Sequence, residues 1–461
     1  MQRAGIGAAD EITRRFGARL NEGVLVFTGS GNNGGDGRVV AGRLARAGVS
    51  VKVVQAGEAS DMVAPGVVVD ALLGTGFRGI PRGAVQESIA RVNELRKSGS
   101  TVASLDVPSG LNATTGEHSN CVVADVTLSF GGLKRGTLLA RDCCGEIVVL
   151  DIGLDAAAPR SDEKLPLLID RDWVAARLPV LKYDSHKGER KHLAIVGGGT
   201  GMGGAAVLAA RAALRSGIGL LRAVVASDNT GAMLHATPAA LVSAWPRDRA
   251  EIERDIGDWA DAVVIGPGMG RSREAKDLLE LVLSISRQPL VLDADALNLF
   301  ENDVASLRDH LRGRESLITP HVAEFARLAG TDVKTVLAER FDIGSSLAAS
   351  LGATVLLKGA PTVIFAPTGE RLVSSRGTAA LGTGGSGDIL AGIAGTLLAQ
   401  TENAVTAASC AAWIHGRAAE LCGYVRGTTL EDVLYALPRA WNEDEAPLES
   451  PVVARLPAVA R

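Results

Sequence analysis

Short β-branched runs alternate with amphipathic stretches along the first part of the chain. Residues 24–28, 51–55, 67–70 and 101–106 predict strands, while 37–47 and 84–97 predict helices. The strands are mostly continuous apolar runs alternating with helices, which predicts a mostly parallel sheet covered on both faces by helices. After a last run at 148–152 the pattern breaks into Gly153-Leu154-Asp155-Ala156-Ala157-Ala158-Pro159-Arg160-Ser161-Asp162-Glu163-Lys164, small and charged without apolar period. A second series follows, with strands predicted at 193–196, 220–225, 262–266, 290–293 and 354–357 and helices at 205–216 and 405–422. The fold class is therefore α/β in two domains, 1–155 and 169–443, joined by a linker over 156–168. Residues 444–461, rich in Glu, Pro and Ala, read as a loose tail.

Length agrees with this division, since 461 residues exceed one ordinary domain. Lys and Arg number 48 against 52 Asp and Glu, a net charge of −4, which gives no support to a nucleic-acid or membrane-surface binder. No run approaches about 18 uninterrupted apolar residues, and the opening Met1-Gln2-Arg3-Ala4-Gly5 leads into polar residues, so a cytoplasmic protein is expected. Cys121, Cys143, Cys144, Cys410 and Cys422 are odd in number and form no CxxC. Free thiols in a reducing compartment fit best, and zinc is not expected.

Chemistry concentrates in glycine-rich turns. Gly382-Thr383-Gly384-Gly385-Ser386-Gly387-Asp388 precedes the apolar run 389–398. Backbone N–H groups left accessible by glycine, together with the positive end of a helix, make an anion site. A carboxylate beside bound phosphate suits phosphoryl chemistry on an alcohol. The plainer alternative is that Asp388 only caps the helix. Upstream lie Gly197 to Ala205, Gly266-Pro267-Gly268-Met269-Gly270, Asp293-Ala294-Asp295, Thr319-Pro320-His321-Val322-Ala323-Glu324 and Leu357-Lys358-Gly359-Ala360-Pro361-Thr362. Each ends a predicted strand, so all should face one crevice. Taken singly, His321 and Lys358 read as a satisfied loop histidine and a solvated lysine. No phosphate-binding loop ending in Gly-Lys-Ser/Thr and no protein-kinase signature occurs.

The first domain repeats the theme. Gly29-Ser30-Gly31-Asn32-Asn33-Gly34-Gly35-Asp36-Gly37 joins a strand to a helix, with Asp36 able to accept from ribose hydroxyls or to cap. Gly29, Gly31 and Gly34 meet the dinucleotide-fold spacing only nominally. Asp70, before Ala71-Leu72-Leu73-Gly74-Thr75-Gly76-Phe77-Arg78-Gly79, and Asp106, opening Asp106-Val107-Pro108-Ser109-Gly110-Leu111-Asn112, fall where strands should end.

NNGGDG, DALLGTG and LDVPSGLN resemble the NAD(P)HX epimerase domain, which interconverts the R and S hydrates of NADH and NADPH, over most of residues 1–155. The resemblance implies a Rossmann-like three-layer sandwich. It implies that Asn32, Asn33, Gly34, Gly35 and Asp36, with Gly74, Thr75, Gly76, Phe77, Arg78, Gly79 and Ile80, hold the hydrated dinucleotide, that Asp106 transfers the proton, and that Asn33, Asp70 and Ser109 bind potassium. Relatives usually carry a further helix before the segment that starts at Met1, a longer connection before Asp70, and often a tyrosine after the GTG loop. These are missing, so a shortened and impaired first domain is one expectation.

HKG (186–188), GGA, GPGMG, LDADALN, TPHxxE and GTGGSGD resemble the ribokinase-like superfamily, and within it the ADP-dependent NAD(P)HX dehydratase, over about 165–440. A ribokinase-like three-layer sandwich is implied. So are Ala205, Gly270, His321 and Asp388 against the hydrated nicotinamide, and Lys358, Gly359, Ala360, Pro361, Thr362 and Gly387 against the adenine nucleotide, with Asp388 as base. ADP is the implied co-substrate, with magnesium; NADHX and NADPHX are the small-molecule partners, and a homo-oligomer is expected. Where relatives show a Pro-Glu pair this chain has His235-Ala236-Thr237-Pro238, so no site residue is carried there. A vitamin-precursor kinase using ATP shares the GxGD acid, and a non-catalytic nucleotide sensor would keep the glycine loops. ADP against ATP, and NADHX against NADPHX, stay open.

Overall fold

The computed structural model describes residues 1–58, 64–154, 165–246, 248–301, 303–441 and 448–459. The chain divides into two compact units, one of residues 1–160 with 445–459 and one of 161–444 with 460–461. Among the described residues no helix is long and apolar enough to cross a membrane.

In the first unit β1 (Val24–Thr28), β2 (Val51–Gln55), β3 (Val67–Ala71), β4 (Thr101–Leu105), β5 (Val126–Phe130) and β6 (Glu146–Leu150) form a parallel sheet in the order β6-β5-β4-β3-β1-β2. β1 and β3 are buried at every residue, while β2 at the edge (Val51-Lys52-Val53-Val54-Gln55) buries only Val54 fully. Val24 and Val26 of β1 pack with Ala8 and Ile12 of α1 (Gln2–Phe16) and Val40 and Leu44 of α2 (Asn32–Arg46). Leu25 and Phe27 point the other way, onto Ile89, Val92 and Leu95 of α3 (Gly83–Lys97). The strand order reverses at β1, between β2 and β3, and a crevice for ligands opens beyond the carboxyl ends there.

Three expectations change. The helix expected at 37–47 begins at Asn32, so the NNGGDG segment forms its first turns rather than a loop before it. Residues read as a loose tail include a strand, Val452–Leu456, antiparallel to β6 at the sheet edge. Its alternating buried ends and exposed middle (Val452 and Leu456 against Val453) suit an edge position, where one face is wet. Within the expected linker 156–168, residues 156–164 lie outside the described ones, and Leu167–Leu168 is strand β7 of the second unit.

The second unit's sheet continues with β8 (His192–Val196), β9 (Leu220–Val225), β10 (Leu241–Ala244), β11 (Ala262–Ile265), β12 (Leu290–Leu292), β13 (Ser316–Ile318), β14 (Thr354–Leu357), β15 (Thr362–Phe365) and β16 (Arg371–Ser374). The order is β10-β9-β8-β11-β12-β13-β14-β15-β16-β7, antiparallel only at β14–β15 and β15–β16. It too reverses, between β8 and β11. One face carries α4 (Gly203–Arg215), α6 (Ser386–Thr401) and α7 (Ala404–Leu421), the last two nearly all apolar. Helix α5 (Val322–Ala329) follows β13.

Helix α6 carries Asp388 at its start, and glycines seat it. A Cβ on Gly392 would lie 2.1 Å from the carbonyl oxygen of Ala209 in α4, and one on Gly395 2.3 Å from Val264 in β11. Gly392→Ala should therefore destabilise the second unit. Overpacking against unyielding backbone costs about 1–3 kcal/mol, at the upper end here, and outweighs the roughly 1 kcal/mol that replacing a mid-helix glycine returns. Urea unfolding should show a lower midpoint for Gly392→Ala. Gly231→Ala, with nothing within 4 Å of the new methyl, should show an equal or higher one.

Candidate functional site

In the second unit the glycine-rich turns pack on one another. A Cβ on Gly197 would meet Pro267 O at 2.2 Å, on Gly266 Asp293 O at 1.8 Å, and on Gly268 Ala205 Cβ at 2.8 Å. Glycine is needed at these positions for backbone approach, and the consequence is a continuous line of turns beyond β8, β11 and β12. Gly270 joins it, its N–H donating to Asp295 Oδ2 at 2.9 Å.

Lys358, at the end of β14, reaches across to the end of β12. Its Nζ donates to Asp293 Oδ1 at 2.7 Å and stands 3.9 Å from Glu324 Oε2. Asp293 is almost wholly buried and also accepts from Thr319 Oγ1 at 2.7 Å. Burial alone would lower the Lys358 pKa, but Asp293 and Glu324 outweigh it and hold the ammonium above its ordinary value. The lysine that, taken singly, reads as solvated is turned inward. A Cβ on Gly387 would sit 3.2 Å from Lys358 Nζ and 3.8 Å from Asp293 Oδ2, so the GTGGSGD turn closes over this pair.

Asp388 lies in the first turn of α6, behind Gly385 at φ 99°. The N-cap is Gly385 and no side chain caps the helix, so the capping alternative for Asp388 gives way. Burial, then the negative charge of Asp293, push the Asp388 pKa up to about 7, with Lys358 pulling the other way and Asp295 adding to the rise. Gly382 and Gly384 have open space where a Cβ would stand, as an approachable anion loop needs.

His321 is the N-cap of α5. Its Nδ1 accepts from the N–H groups of Ala323 and Glu324 at 3.1 and 3.3 Å, and the Glu324 carboxylate accepts from the His321 N–H at 2.8 Å. An accepting Nδ1 leaves the proton on Nε2, which stands 3.4 Å from Glu324 Oε1. Burial and the nearby Lys358 lower its pKa, which favours the neutral ring. Both ring nitrogens thus have partners on the first turn of α5, as the plain reading of a satisfied histidine expects. Gly359, Ala360, Pro361 and Thr362 form the turn after Lys358. Arg340, unremarked in the sequence, supports it by donating to Pro361 O at 2.9 Å, and a Cβ on Gly359 would strike its guanidinium at 2.2 Å. The HKG segment lies elsewhere, since Gly219, just before β9, packs on Lys187 O, which places it at the amino ends of β8 and β9.

In the first unit, Asp70 ends β3 fully buried, accepting from Ser104 Oγ, the Ser109 N–H and Ser109 Oγ. Burial drives its pKa up against those hydrogen bonds. Among the described residues no ion pair reaches it. Asn33 Nδ2 donates to Leu73 O at 2.7 Å and Leu105 O at 3.0 Å, while its Oδ1 is buried without a partner. Gly74 approaches Asn33, and Thr75, Gly76, Phe77, Arg78, Gly79 and Ile80 continue into an open loop in which Arg78 donates to Thr75 O. Asp36 sits in the second turn of α2, so it does not cap; burial, with the charge of Asp106 adding, raises its pKa. Asn32 and Gly35 flank it on the same helix start. Asp106 takes φ 65°, a strained backbone for a non-glycine residue, and forms an ion pair with Lys134. Lys134 escaped the sequence reading because β5, whose end precedes it, was not recognised; a lysine just past a strand end is the only signal it leaves.

Residues 193–438 match the family described as NAD(P)H-hydrate dehydratase, and 1–65 and 55–136 match that described as YjeF-related protein N-terminus. The chain is 35% identical over 457 residues to the bifunctional NAD(P)H-hydrate repair enzyme of Escherichia coli (strain K12), covering 91% of this chain and 85% of that protein. It is 32% identical over 506 residues to the enzyme of the same name from Moorella thermoacetica, covering 99% and 94%. Among solved structures, the ADP/ATP-dependent NAD(P)H-hydrate dehydratase from Bacillus subtilis, co-crystallized with ATP and Mg2+, aligns with TM-score 0.53 and 27% identity over 61% of this chain and 99% of that one.

The opposed influences on Asp388 predict how its titration responds. Asp293→Asn removes a like charge and should lower the Asp388 pKa below about 7, whereas Lys358→Met removes an opposite charge and should raise it. Carboxyl-carbon NMR of the three proteins reads this directly. Shifts in the opposite directions, or none, would refute the charge arrangement.

Proposed function

The chain belongs to the family of bifunctional NAD(P)H-hydrate repair enzymes, and from that premise we propose how its two units act. The second unit dehydrates S-NADHX and S-NADPHX with ADP or ATP. Asp388 accepts the proton of the ring hydroxyl as that oxygen attacks the terminal phosphate, giving AMP from ADP. Loss of phosphate and a ring proton then restores the reduced cofactor. The observation that carries this reading is Asp388 itself, uncapped beside open glycines and poised near neutral pH, where a base is most effective. Backbone N–H groups of Gly387 and its neighbours spread the phosphate charge. Ala205, Gly270 and His321 line the end assigned to the hydrated ring, while Lys358 to Thr362 take the nucleotide, with Gly387 beside them.

Asp293, Glu324 and Asp388 act on Lys358, and Asp295 acts on Asp388, an excess of negative charge that a polyphosphate would meet unfavourably. Magnesium accompanying the nucleotide would offset that charge and neutralise the charge developing on phosphate when bound.

The first unit epimerises the R and S hydrates. Asp106, held by Lys134, is the proton-transfer group, and Asn32 to Asp36 with Gly74 to Ile80 hold the dinucleotide. Asn33, Asp70 and Ser109 fit potassium: a partnerless buried amide oxygen, a buried carboxylate without an ion pair and nearby carbonyls are hard oxygen donors.

Incubation with S-NADHX and ADP should restore absorbance of the reduced cofactor. Asp388→Asn should lower kcat about 10²- to 10⁴-fold with little change in ADP affinity. Wild-type-like turnover would remove the base assignment, and phosphorylation of a vitamin alcohol with the hydrate untouched would move the assignment to a kinase.

Epimerisation should fall when tetramethylammonium replaces potassium, and Asp70→Asn should be slow in both salts. A parent rate independent of the cation would dismiss the potassium site.

A further inference from the structure

Outside both sites, the first unit gathers three soft donors. His118, Cys121 and Cys143 place Nε2 and two sulfurs within 4.8 Å of one another. Cys121 Sγ stands 3.0 Å from Cys143 Sγ, which lies 3.4 Å from His118 Nε2. Both cysteines are buried and the histidine is exposed.

The histidine ring is oriented as a ligand. Its Nδ1 lies 2.9 Å from the carbonyl oxygen of Gly116, which can only accept, so Nδ1 carries the proton. The neutral ring then directs the Nε2 lone pair at the sulfurs. A backbone carbonyl fixing one nitrogen so that the other can bind is the usual outer support of a metal-bound histidine. Sulfurs on one tetrahedral zinc stand about 3.8 Å apart, given Zn–S near 2.3 Å. The pair needs to open by less than about 1 Å, within reach of small side-chain rotations.

We propose that His118, Cys121 and Cys143 form a binding site for a thiophilic divalent cation of the zinc class, completed by water on the exposed side of His118. Binding releases the proton of each thiol and leaves two thiolates and a neutral imidazole on the ion. The site is placed to brace a loop. The Val122 N–H donates to Ser109 O at 2.9 Å, and a Cβ on Gly110 would lie 2.4 Å from Asn120 O and 3.0 Å from Cys121 Cα. The strap that carries Cys121 therefore backs the turn that carries Ser109, the residue bonded to Asp70. Tying the strap to the segment of Cys143 stiffens that turn.

The full chain, reduced and freed of metal under nitrogen, is titrated with Co2+. One equivalent should produce a thiolate-to-cobalt charge-transfer band and tetrahedral visible bands, both bleached by Zn2+. Cys143→Ser should abolish the band and His118→Ala should weaken cobalt binding at least tenfold, while Cys422→Ser should leave it unchanged. Zinc should also slow amide hydrogen exchange in residues 106–112. Absence of the band, its persistence in Cys143→Ser, or unchanged affinity in His118→Ala overturns the proposal. Loss of two thiols in air without metal uptake would overturn it in favour of a disulfide. Should circular dichroism show Cys143→Ser unfolded, the exposed His118→Ala against Cys422→Ser still decides.

Discussion

A buried ammonium organises the second unit. Lys358 is drawn from the end of β14 to the end of β12 by Asp293, and the GTGGSGD turn lies over the pair, with Gly387 leaving the ammonium uncrowded. The pull of that ammonium on Asp388 is weaker than burial and the repulsion of Asp293, so the acid keeps its proton to about neutral pH. One ion pair thus joins separate strand ends and tunes the acid on the next helix. Burying a charge with its partner gives little net stability, and removing one partner is costly. The arrangement is better understood as positioning than as reinforcement.

Both units place much of their chemistry on glycine turns at the carboxyl ends of parallel strands, with the GTGGSGD turn, which follows a 3-10 turn instead, added in the second. The glycines divide into two sorts. Gly197, Gly266 and Gly34 are required by neighbouring backbone, since a Cβ there would strike a carbonyl oxygen within 2.2 Å. Gly31, Gly76, Gly382 and Gly384 face open space. The first sort holds the turns together and the second leaves them approachable.

Much of this was legible in the sequence. Strands 24–28, 51–55, 220–225 and 354–357 coincide with those observed, because continuous β-branched runs between glycine turns leave little ambiguity. The helix start at Asn32 was obscured by paired glycines, which lower helix propensity while the fixed strand end and the packing of α2 on the sheet impose it. Val452–Leu456 looked like tail because an edge strand with one wet face lacks a full apolar run. Short strands such as Ser316–Ile318 offer too few residues for any period. Charge pairs escaped altogether: nothing in the spacing says that Lys134 meets Asp106 or Lys358 meets Asp293. Equally, His118, Cys121 and Cys143 lack the close pairing that marks a metal site, because β5 and the segment after it separate the two cysteines.

The edge strand Val452–Leu456 has a temporal consequence. Because it belongs to the sheet begun by β1, the first unit's chain is interrupted by the whole of the second. During synthesis the ribosome must produce the entire second unit before β6 can acquire its outer neighbour. Until then β6 presents open N–H and C=O groups along its edge. A nascent chain stopped anywhere inside the second unit carries an unfinished first one, so translation to the C-terminal segment couples completion of the two units even though each has its own core.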